Sequence, residues 1–227
     1  MHDQLFNIWS LFNQACPLCD IHPGIASGPC QSCLNDLPHL LQACNRCALP
    51  GSHNLCPSCQ QQPPPYSRAT AGFNYRFPLP QLIHSVKTGR DPEPLHWLAS
   101  ALATKIRERI CTTTTLVPVP MHIYDETLRG FNQSALLCDS LSRLLNLPQA
   151  PNLLVKSRRT PHQASLNRAE RKANLKECYR VISAPPEEVT LVDDVMTTGT
   201  TLERLTRLLL QSGCKKVDLC VLCRTPN

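Results

Sequence analysis

The stretch that decides the fold is residues 189–201, Val189-Thr190-Leu191-Val192-Asp193-Asp194-Val195-Met196-Thr197-Thr198-Gly199-Thr200-Thr201. Its first half is apolar and rich in β-branched side chains, and prolines precede it, so we predict a buried strand. Beyond it the apolar spacing becomes helical, and Gly213 is placed to end the helix. The leucines that set this spacing are Leu202, Leu205, Leu208 and Leu209. The stretch therefore predicts a strand, a short loop and a helix in succession.

The loop in this stretch has the composition of a phosphate site. Backbone N–H groups and the positive end of the helix dipole converge there, and Gly199 lets the backbone approach a ligand closely. Hydroxyl donors come from Thr197, Thr198, Thr200 and Thr201. Asp193 and Asp194, at the end of the predicted strand, could hold ribose hydroxyls or a Mg²⁺ that arrives with the ligand. The alternative is an ordinary turn in which Asp and Thr act as caps.

Eight of the 14 cysteines form four C-x-x-C pairs near the start of the chain, Cys16/Cys19, Cys30/Cys33, Cys44/Cys47 and Cys56/Cys59. Two such pairs complete a tetrahedral zinc site, so eight thiolates predict two structural Zn²⁺ ions. The even spacing favours sequential sites, and a cross-braced arrangement is the alternative. Cysteines that merely fill a small core, or that form a redox pair, are the other interpretations. Four thiolates leave no open coordination position, so we expect these sites to be structural.

The length of 227 residues suits one α/β domain with a small module attached. The glutamine and proline run that follows the last C-x-x-C pair, residues 60–65, cannot continue a helix or pair within a sheet. We therefore predict an N-terminal helix and cysteine-rich module over 1–62, a stiff linker over 63–68 and an α/β domain over 69–227.

The formal net charge of +6 is spread unevenly. Residues 1–66 hold a single basic side chain, Arg46, so the positive charge belongs to the remainder, which fits an anionic ligand and permits a nucleic-acid partner. No apolar run approaches the roughly 20 residues that span a bilayer, and the start lacks signal-peptide features. We expect a cytoplasmic protein whose cysteines stay reduced. The apolar helical face of Leu5, Ile8, Trp9 and Phe12 is expected to dock on a core rather than on a membrane.

The stretch at 189–201 resembles the signature of type I phosphoribosyltransferases, which bind phosphoribosyl pyrophosphate (PRPP). With its cysteine-rich front, the whole chain resembles the ComF/GntX family. That resemblance implies an α/β fold, a type I phosphoribosyltransferase-like parallel doubly wound sheet, with a small N-terminal double zinc ribbon. It also implies PRPP with Mg²⁺ as the ligand, and a link with natural transformation, DNA uptake and the proteins of the competence machinery.

A second loop follows the predicted strand at Leu116-Val117-Pro118-Val119-Pro120. Here Arg129-Gly130-Phe131-Asn132-Gln133 is interpreted as opening a helix that runs to about Leu147. In the resembled fold pyrophosphate sits at this position, which makes Arg129 and the backbone of Gly130 candidates for holding it. Asn132 and Gln133 suit either a helix cap or a ligand contact. Family members usually carry basic residues just before this motif, whereas this chain has Asp125 and Glu126.

Two further segments carry basic candidates. Lys87 lies in a segment that resembles a family motif of a lysine and a glycine, and it is expected either to reach a ligand phosphate or to be a solvated charge. Residues 156–176 hold seven Lys or Arg against one acid. Phosphoribosyltransferases carry a mobile loop at this position, so we predict a lid that brings Arg171 and Lys172 to the ligand. The alternative is a solvated basic face.

The resemblance implies two functions of different kinds. The first is Mg-dependent transfer of a phosphoribosyl group to an unknown acceptor, with Asp193, Asp194, Arg129, Arg171 and Lys172 near the reacting atoms. The second is a non-catalytic module that responds to PRPP or associates with single-stranded DNA. Enzymes of the hypoxanthine-guanine type have an aspartate where this chain has Thr197, which argues against their substrates.

Two expectations about stability follow. Chelation of zinc is expected to unfold residues 15–60 and to leave the α/β domain largely intact. Asp193 and Asp194, at the open end of a strand, are expected to be mainly solvated and to matter for binding rather than for folding.

Overall fold

A four-stranded parallel sheet lies at the centre of the computed structural model, which describes residues 15–25, 28–51, 54–89, 91–158 and 178–226. The strands are β1 (Ala69–Asn74), β2 (Thr115–Pro118), β3 (Leu154–Lys156), β4 (Tyr179–Val181), β5 (Glu188–Met196) and β6 (Lys216–Arg224). The order across the sheet is β1-β6-β5-β2, while β3 and β4 form a separate antiparallel pair. The two central strands, β5 and β6, are buried along almost their whole length because both faces of the sheet are covered.

The described helices are α1 (Gln31–Asn35), α2 (Pro57–Gln61), α3 (Leu79–Gly89), α4 (Glu93–Ile106), α5 (Ile123–Arg129), α6 (Gln133–Leu145) and α7 (Thr200–Gln211). Successive residues of a strand face opposite sides, so the sheet separates two cores. On one side Val192 packs with apolar residues of α3, α4 and α6. On the other side Leu191 packs with α7 and with the second group of cysteines, which consists of Cys44, Cys47, Cys56 and Cys59. The sheet is thus covered on both faces, as the sequence predicted.

Most predicted elements lie within a few residues of the observed ones, but α2 and α5 differ from prediction. Helix α2 includes Gln60 and Gln61, which belong to the run predicted not to continue a helix. The sequence pattern predicts Arg129 in a loop that opens a helix, whereas Arg129 is the last residue of the short helix α5. Gly130, with a left-handed φ of 94°, ends α5. Asp125 and Glu126 lie in the first turn of α5, where negative side chains suit the positive end of the helix dipole. Their presence is therefore explained by the helix itself.

The predicted linker is packed against the sheet. Pro64 and Tyr66 are buried, and the Pro64 carbonyl accepts a hydrogen bond from Arg46 Nη2 at 3.1 Å. The backbone N–H of Ser67 donates to the Val217 carbonyl of β6 at 2.8 Å. The segment therefore fastens the second group of cysteines to the sheet. A domain boundary at 63–68 stays a prediction.

Two groups of sequence-predicted residues lie outside the described residues. The first is the apolar face of Leu5, Ile8, Trp9 and Phe12. The second is most of the predicted lid, including Arg171 and Lys172. Across the part of the chain that the structure describes, we find no helix with the length and apolar content needed to cross a membrane.

Candidate functional site

Two carboxylates at the carboxyl end of β5 form the centre of the candidate site. Asp194 is 8% exposed, and its Oδ2 lies 2.6 Å from Nζ of Lys87 on α3. Asp193 is partly buried, and its Oδ1 accepts hydrogen bonds from Ser134 Oγ at 2.7 Å and from the backbone N–H of Asp194 at 3.0 Å. The expectation that both carboxylates are mainly solvated is therefore wrong for Asp194. Three elements, α3, β5 and α6, meet at this point.

The acidic pair carries more negative charge than its neighbours offset. Burial and then the charge of Asp194 raise the pKa of Asp193 to about 7, although the hydrogen bonds from Ser134 and the Asp194 N–H and the charge of Lys87 oppose this. Lys87 offsets only one of the two carboxylates. Near neutral pH the site therefore favours whatever brings a cation or hydrogen-bond donors to Asp193.

The raised pKa of Asp193 gives a prediction for stability. The ordinary carboxyl pKa is 3.8, so between about pH 4 and 7 the folded state holds a proton that the unfolded state has lost. The contribution of Asp193 to stability is present in full below about pH 4 and is lost as pH rises to about 7. Asp193→Asn keeps the acceptor oxygen, so it should raise the free energy of unfolding by about 1–2 kcal/mol at pH 8, a figure reduced for partial exposure. It should have little effect at pH 4.5.

Urea unfolding of the wild type and Asp193→Asn at both pH values measures this difference. Asp139→Asn is the control, because Asp139 pairs with Arg143 on the surface. A wild type more stable than Asp193→Asn at pH 8 would contradict the assigned electrostatics.

The phosphate loop, residues 197–201, follows the acidic pair directly. Gly199 has a φ of 76°, a left-handed backbone conformation that favours glycine, whereas the Met196 Cε that a Cβ would meet at 2.7 Å is the end of a flexible side chain that can move. The hydroxyl oxygens of Thr198 and Thr200 are 3.0 Å apart, and the threonines at 197, 198, 200 and 201 are all exposed. The loop thus presents hydroxyls and the N-terminus of the twelve-residue helix α7 to solvent, as the sequence predicted.

The second loop joins α5 to α6 beside the acidic pair. Asn132 caps α6, because its Oδ1 accepts from the backbone N–H of Ser134 at 3.0 Å. Gln133 is buried, and its Oε1 accepts from Arg129 Nη1 at 2.6 Å. Of the helix cap and the ligand contact expected for these residues, Asn132 has the cap. Gln133 instead binds and orients Arg129. The Ser134 hydroxyl holds this loop to Asp193.

The eight paired cysteines form two compact clusters, Cys16/Cys19/Cys30/Cys33 and Cys44/Cys47/Cys56/Cys59, each with its sulfur atoms within 4.8 Å of one another. We call them the first and the second cluster. Grouping is sequential rather than cross-braced. In both clusters a turn with a left-handed residue, Asp20 or Ala48, carries one pair, and the start of α1 or α2 carries the other. The chain therefore repeats one unit twice.

The surroundings of the sulfur atoms suit thiolates. Backbone N–H groups point at Cys16 Sγ from Leu18 at 3.4 Å and from Cys30 at 3.3 Å, and at Cys44 Sγ from Cys56 at 3.3 Å. Burial raises the pKa of Cys16 and of Cys44, but these donors outweigh it and lower both values to about 6. Four converging thiolates with N–H donors fit tetrahedral Zn²⁺.

Comparison with known proteins identifies the family. A family model described as "Phosphoribosyl transferase domain" matches residues 136–227. The chain is 36% identical over 190 residues to "DNA utilization protein YhgH" of Escherichia coli (strain K12), covering 80% of this chain and 84% of that protein. It is 29% identical over 231 residues to "Competence protein F" of Haemophilus influenzae, covering 95% and 99%. The chain belongs to the ComF family.

Among solved structures, the ComF-family chain resembles a purine phosphoribosyltransferase from Pyrococcus horikoshii Ot3. The two share 18% sequence identity with a TM-score of 0.36, over 58% of this chain and 73% of that one. The matching family model, the parallel sheet and the two cysteine clusters show that the ComF-family chain has a phosphoribosyltransferase-like α/β fold with a module of the zinc-ribbon type.

One residue that sequence reasoning missed lies behind the phosphate loop of this ComF-family protein. Arg224, the last residue of β6, is 4% exposed. Its Nη1 donates to the carbonyl oxygens of Met196 at 3.2 Å, Thr225 at 2.9 Å and Thr197, and its Nε donates to the Cys47 carbonyl at 3.2 Å. Arg224 thus contacts both the phosphate loop and the second cluster.

Proposed function

We propose that this ComF-family protein binds PRPP together with Mg²⁺ at the carboxyl end of its sheet. The observation that supports this most is the surplus negative charge at Asp193 beside a loop of exposed hydroxyls at the N-terminus of α7. The helix end and the hydroxyls favour a phosphate, whereas the carboxylates favour ribose hydroxyls or a cation. A phosphorylated sugar that carries a metal ion satisfies both.

Each part of the ligand has proposed partners. Residues 197–201 hold the 5-phosphate, and Asp193 and Asp194 face the ribose hydroxyls. Arg129, oriented by Gln133, and the backbone of Gly130 hold the pyrophosphate. Mg²⁺, when bound, would offset the negative charge of that group. Contacts from Arg171 and Lys172 stay a prediction, because both lie outside the described residues.

Lys87 has a role different from the one first suggested by the sequence. Its Nζ lies 2.6 Å from Asp194, which it neutralises. We therefore propose that Lys87 tunes the acidic pair, and that a contact with a ligand phosphate would require it to leave Asp194.

The proposed reaction is phosphoribosyl transfer to an acceptor of unidentified structure. A bond forms between the acceptor and the anomeric carbon of the ribose, while the bond from that carbon to the pyrophosphate oxygen breaks and its electron pair leaves with pyrophosphate. Arg129 would stabilise the departing charge, and the phosphate loop would fix the sugar.

Calorimetric titration with PRPP and MgCl₂ tests binding. We expect one PRPP per chain, with weaker binding when Mg²⁺ is left out. Asp139→Asn should bind like the wild type. An absence of binding at millimolar PRPP would overturn the proposal. Assays of pyrophosphate release over candidate bases and amines then separate an enzyme from a non-catalytic PRPP-binding module.

We also propose that Zn²⁺ fills both cysteine clusters, for which the converging thiolates are the support. Zinc ligands must stay reduced, and that condition suits the cytoplasm, where we propose the protein works. Elemental analysis of protein purified without added metal should give two zinc ions per chain. A content near zero would exclude the ribbon assignment.

A link with DNA is the second proposed function, supported by the printed names of the relatives, "DNA utilization protein" and "Competence protein F". Single-stranded DNA is the candidate ligand, and proteins of the competence machinery are the candidate partners. Binding through basic side chains releases counterions and weakens steeply with salt. Fluorescence anisotropy with a labelled oligonucleotide should show binding at about 50 mM salt and its loss at about 300 mM. No change at 50 mM would exclude direct binding.

A further inference from the structure

We propose that Arg224 couples the second cluster to the phosphate loop, so that zinc in this cluster sets the affinity of the loop for its phosphate ligand. This inference rests on the proposed function in one respect, the identification of the phosphate ligand as PRPP. Arg224 is then a positioning residue that acts through the loop, and the second cluster regulates the site as well as stabilising the fold.

The first step concerns the charge of Arg224. A guanidinium stays protonated in proteins, and burying it without a counter-charge is costly. Its partners are carbonyl oxygens, and none of the described carboxylates lies within ion-pair distance of it. Glu203 on the neighbouring helix α7 pairs with Arg207 instead, at 3.2 Å. The guanidinium therefore needs an anion from elsewhere.

The second cluster supplies that anion when zinc is bound. One Zn²⁺ and four thiolates carry a net charge of about −2. The Cys47 carbonyl, which belongs to a cluster residue, accepts from Arg224 Nε at 3.2 Å. Tyr66 is buried in the same core as the four cysteines of this cluster. Charge and hydrogen bonding thus join Arg224 to the cluster.

The next step leads from Arg224 to the loop. The guanidinium donates to the carbonyl oxygens of Met196 and Thr197 and so restrains the peptide groups that follow them. The Met196 carbonyl also accepts from the backbone N–H of Thr225 at 3.1 Å, so the Thr197 carbonyl depends more on Arg224. In a trans peptide the N–H points opposite to the C=O. The N–H groups of Thr197 and Thr198 therefore point away from Arg224, at the start of the loop that presents the exposed threonine hydroxyls. Holding the carbonyls fixes the direction of these donors.

Among the described residues the first cluster has no comparable link, because the hydrogen bonds of its sulfur atoms and of its cysteine backbone stay within residues 16–34. This difference provides a matched control. Cys59→Ser removes one zinc ligand from the second cluster, and Cys19→Ser removes one from the first.

Zinc release from the full-length, zinc-loaded protein tests the coupling, with a chromogenic chelator as acceptor and PRPP with Mg²⁺ as the probe. Coupling between two sites is reciprocal, so the probe should slow release from the second cluster about fivefold or more and leave the first unchanged. Cys19→Ser should keep the effect. Arg224→Met should abolish it while both zinc ions stay bound, and Arg224→Lys should restore part of it. Equal slowing in Arg224→Met and the wild type would overturn the proposal.

Hydrogen exchange without ligand separates this proposal from the proposed function. Peptides that span residues 193–202 should exchange faster in Arg224→Met, with both zinc ions still bound, than in Cys19→Ser or the wild type. Equal exchange in Arg224→Met and the wild type would overturn the coupling, whatever PRPP does. If exchange changes as expected but PRPP does not bind, the coupling stands and the proposed ligand is wrong.

Discussion

Replacing both Asp193 and Asp194 by asparagine is expected to lower the affinity for PRPP with Mg²⁺ at least tenfold, which corresponds to about 1.4 kcal/mol. The double replacement removes the surplus negative charge next to the phosphate loop, so neither a cation nor the ribose hydroxyls would find a charged acceptor. Calorimetric titration of the variant and the wild type measures the difference. Normal affinity in the double variant would mean that this motif does not hold the ligand.

The two single replacements should change the free energy of unfolding in opposite directions at pH 8. This difference would separate effects on folding from effects on binding. Asp194→Asn removes the buried carboxylate that pairs with Lys87, whose side chain is 35% exposed, so we expect a loss of about 1 kcal/mol. Asp193→Asn should instead stabilise the free protein at pH 8. The two effects offset each other in the double variant, so we expect a modest net change in its free energy of unfolding. The sequence predicted the same modest change from solvent exposure, whereas the structure predicts it from this cancellation. Asp139→Asn should change neither property.

Removing zinc from the second cluster is expected to destabilise the α/β sheet as well as the cysteine-rich module. The sequence alone suggested that chelation would spare the sheet. In the structure the second cluster shares one core with Tyr66, Leu191 and Val217, so losing the metal exposes apolar surface of the sheet. We expect Cys59→Ser to lower the free energy of unfolding by about 3 kcal/mol or more.

Urea unfolding followed by circular dichroism measures this loss. The matched variant Cys19→Ser, in the first cluster, should leave the main transition near its wild-type midpoint. A main transition unchanged in Cys59→Ser would show that the second cluster is energetically separate from the sheet.

Local patterns predicted the strand, loop and helix around Gly199 well, because these elements follow one another directly in the chain. The ion pair between Lys87 and Asp194 joins residues far apart in sequence, and no spacing rule connects them. The same holds for Ser134 and Asp193. Arg224 looked like an ordinary basic residue near the end of the sequence, since burial is a property of the packed fold. These contacts could be found only from the structure.

The short helix α5 was missed for a different reason. Sequence-based prediction of a helix depends on an apolar stripe that faces the core. Helix α5 has seven residues, about two turns, which is too short for a repeating apolar pattern to be recognised in the sequence. Its large apolar residues, Ile123, Tyr124 and Leu128, are half or more exposed in the structure. Gly130, which ends α5, is proposed to bind pyrophosphate through its backbone. Its position next to Arg129 is compatible with that proposal.

The strand order β1-β6-β5-β2 has a consequence for synthesis on the ribosome. The last strand in chain order, β6, pairs with β1 and β5 and lies between them, so the sheet cannot close until residues 216–224 have left the exit tunnel. The first cluster emerges much earlier, and its hydrogen bonds among the described residues are local, so it can form before β6 is available. A nascent chain would thus have a formed first cluster while the edge of β1 is still unpaired. In that period an exposed strand edge is available to a chaperone.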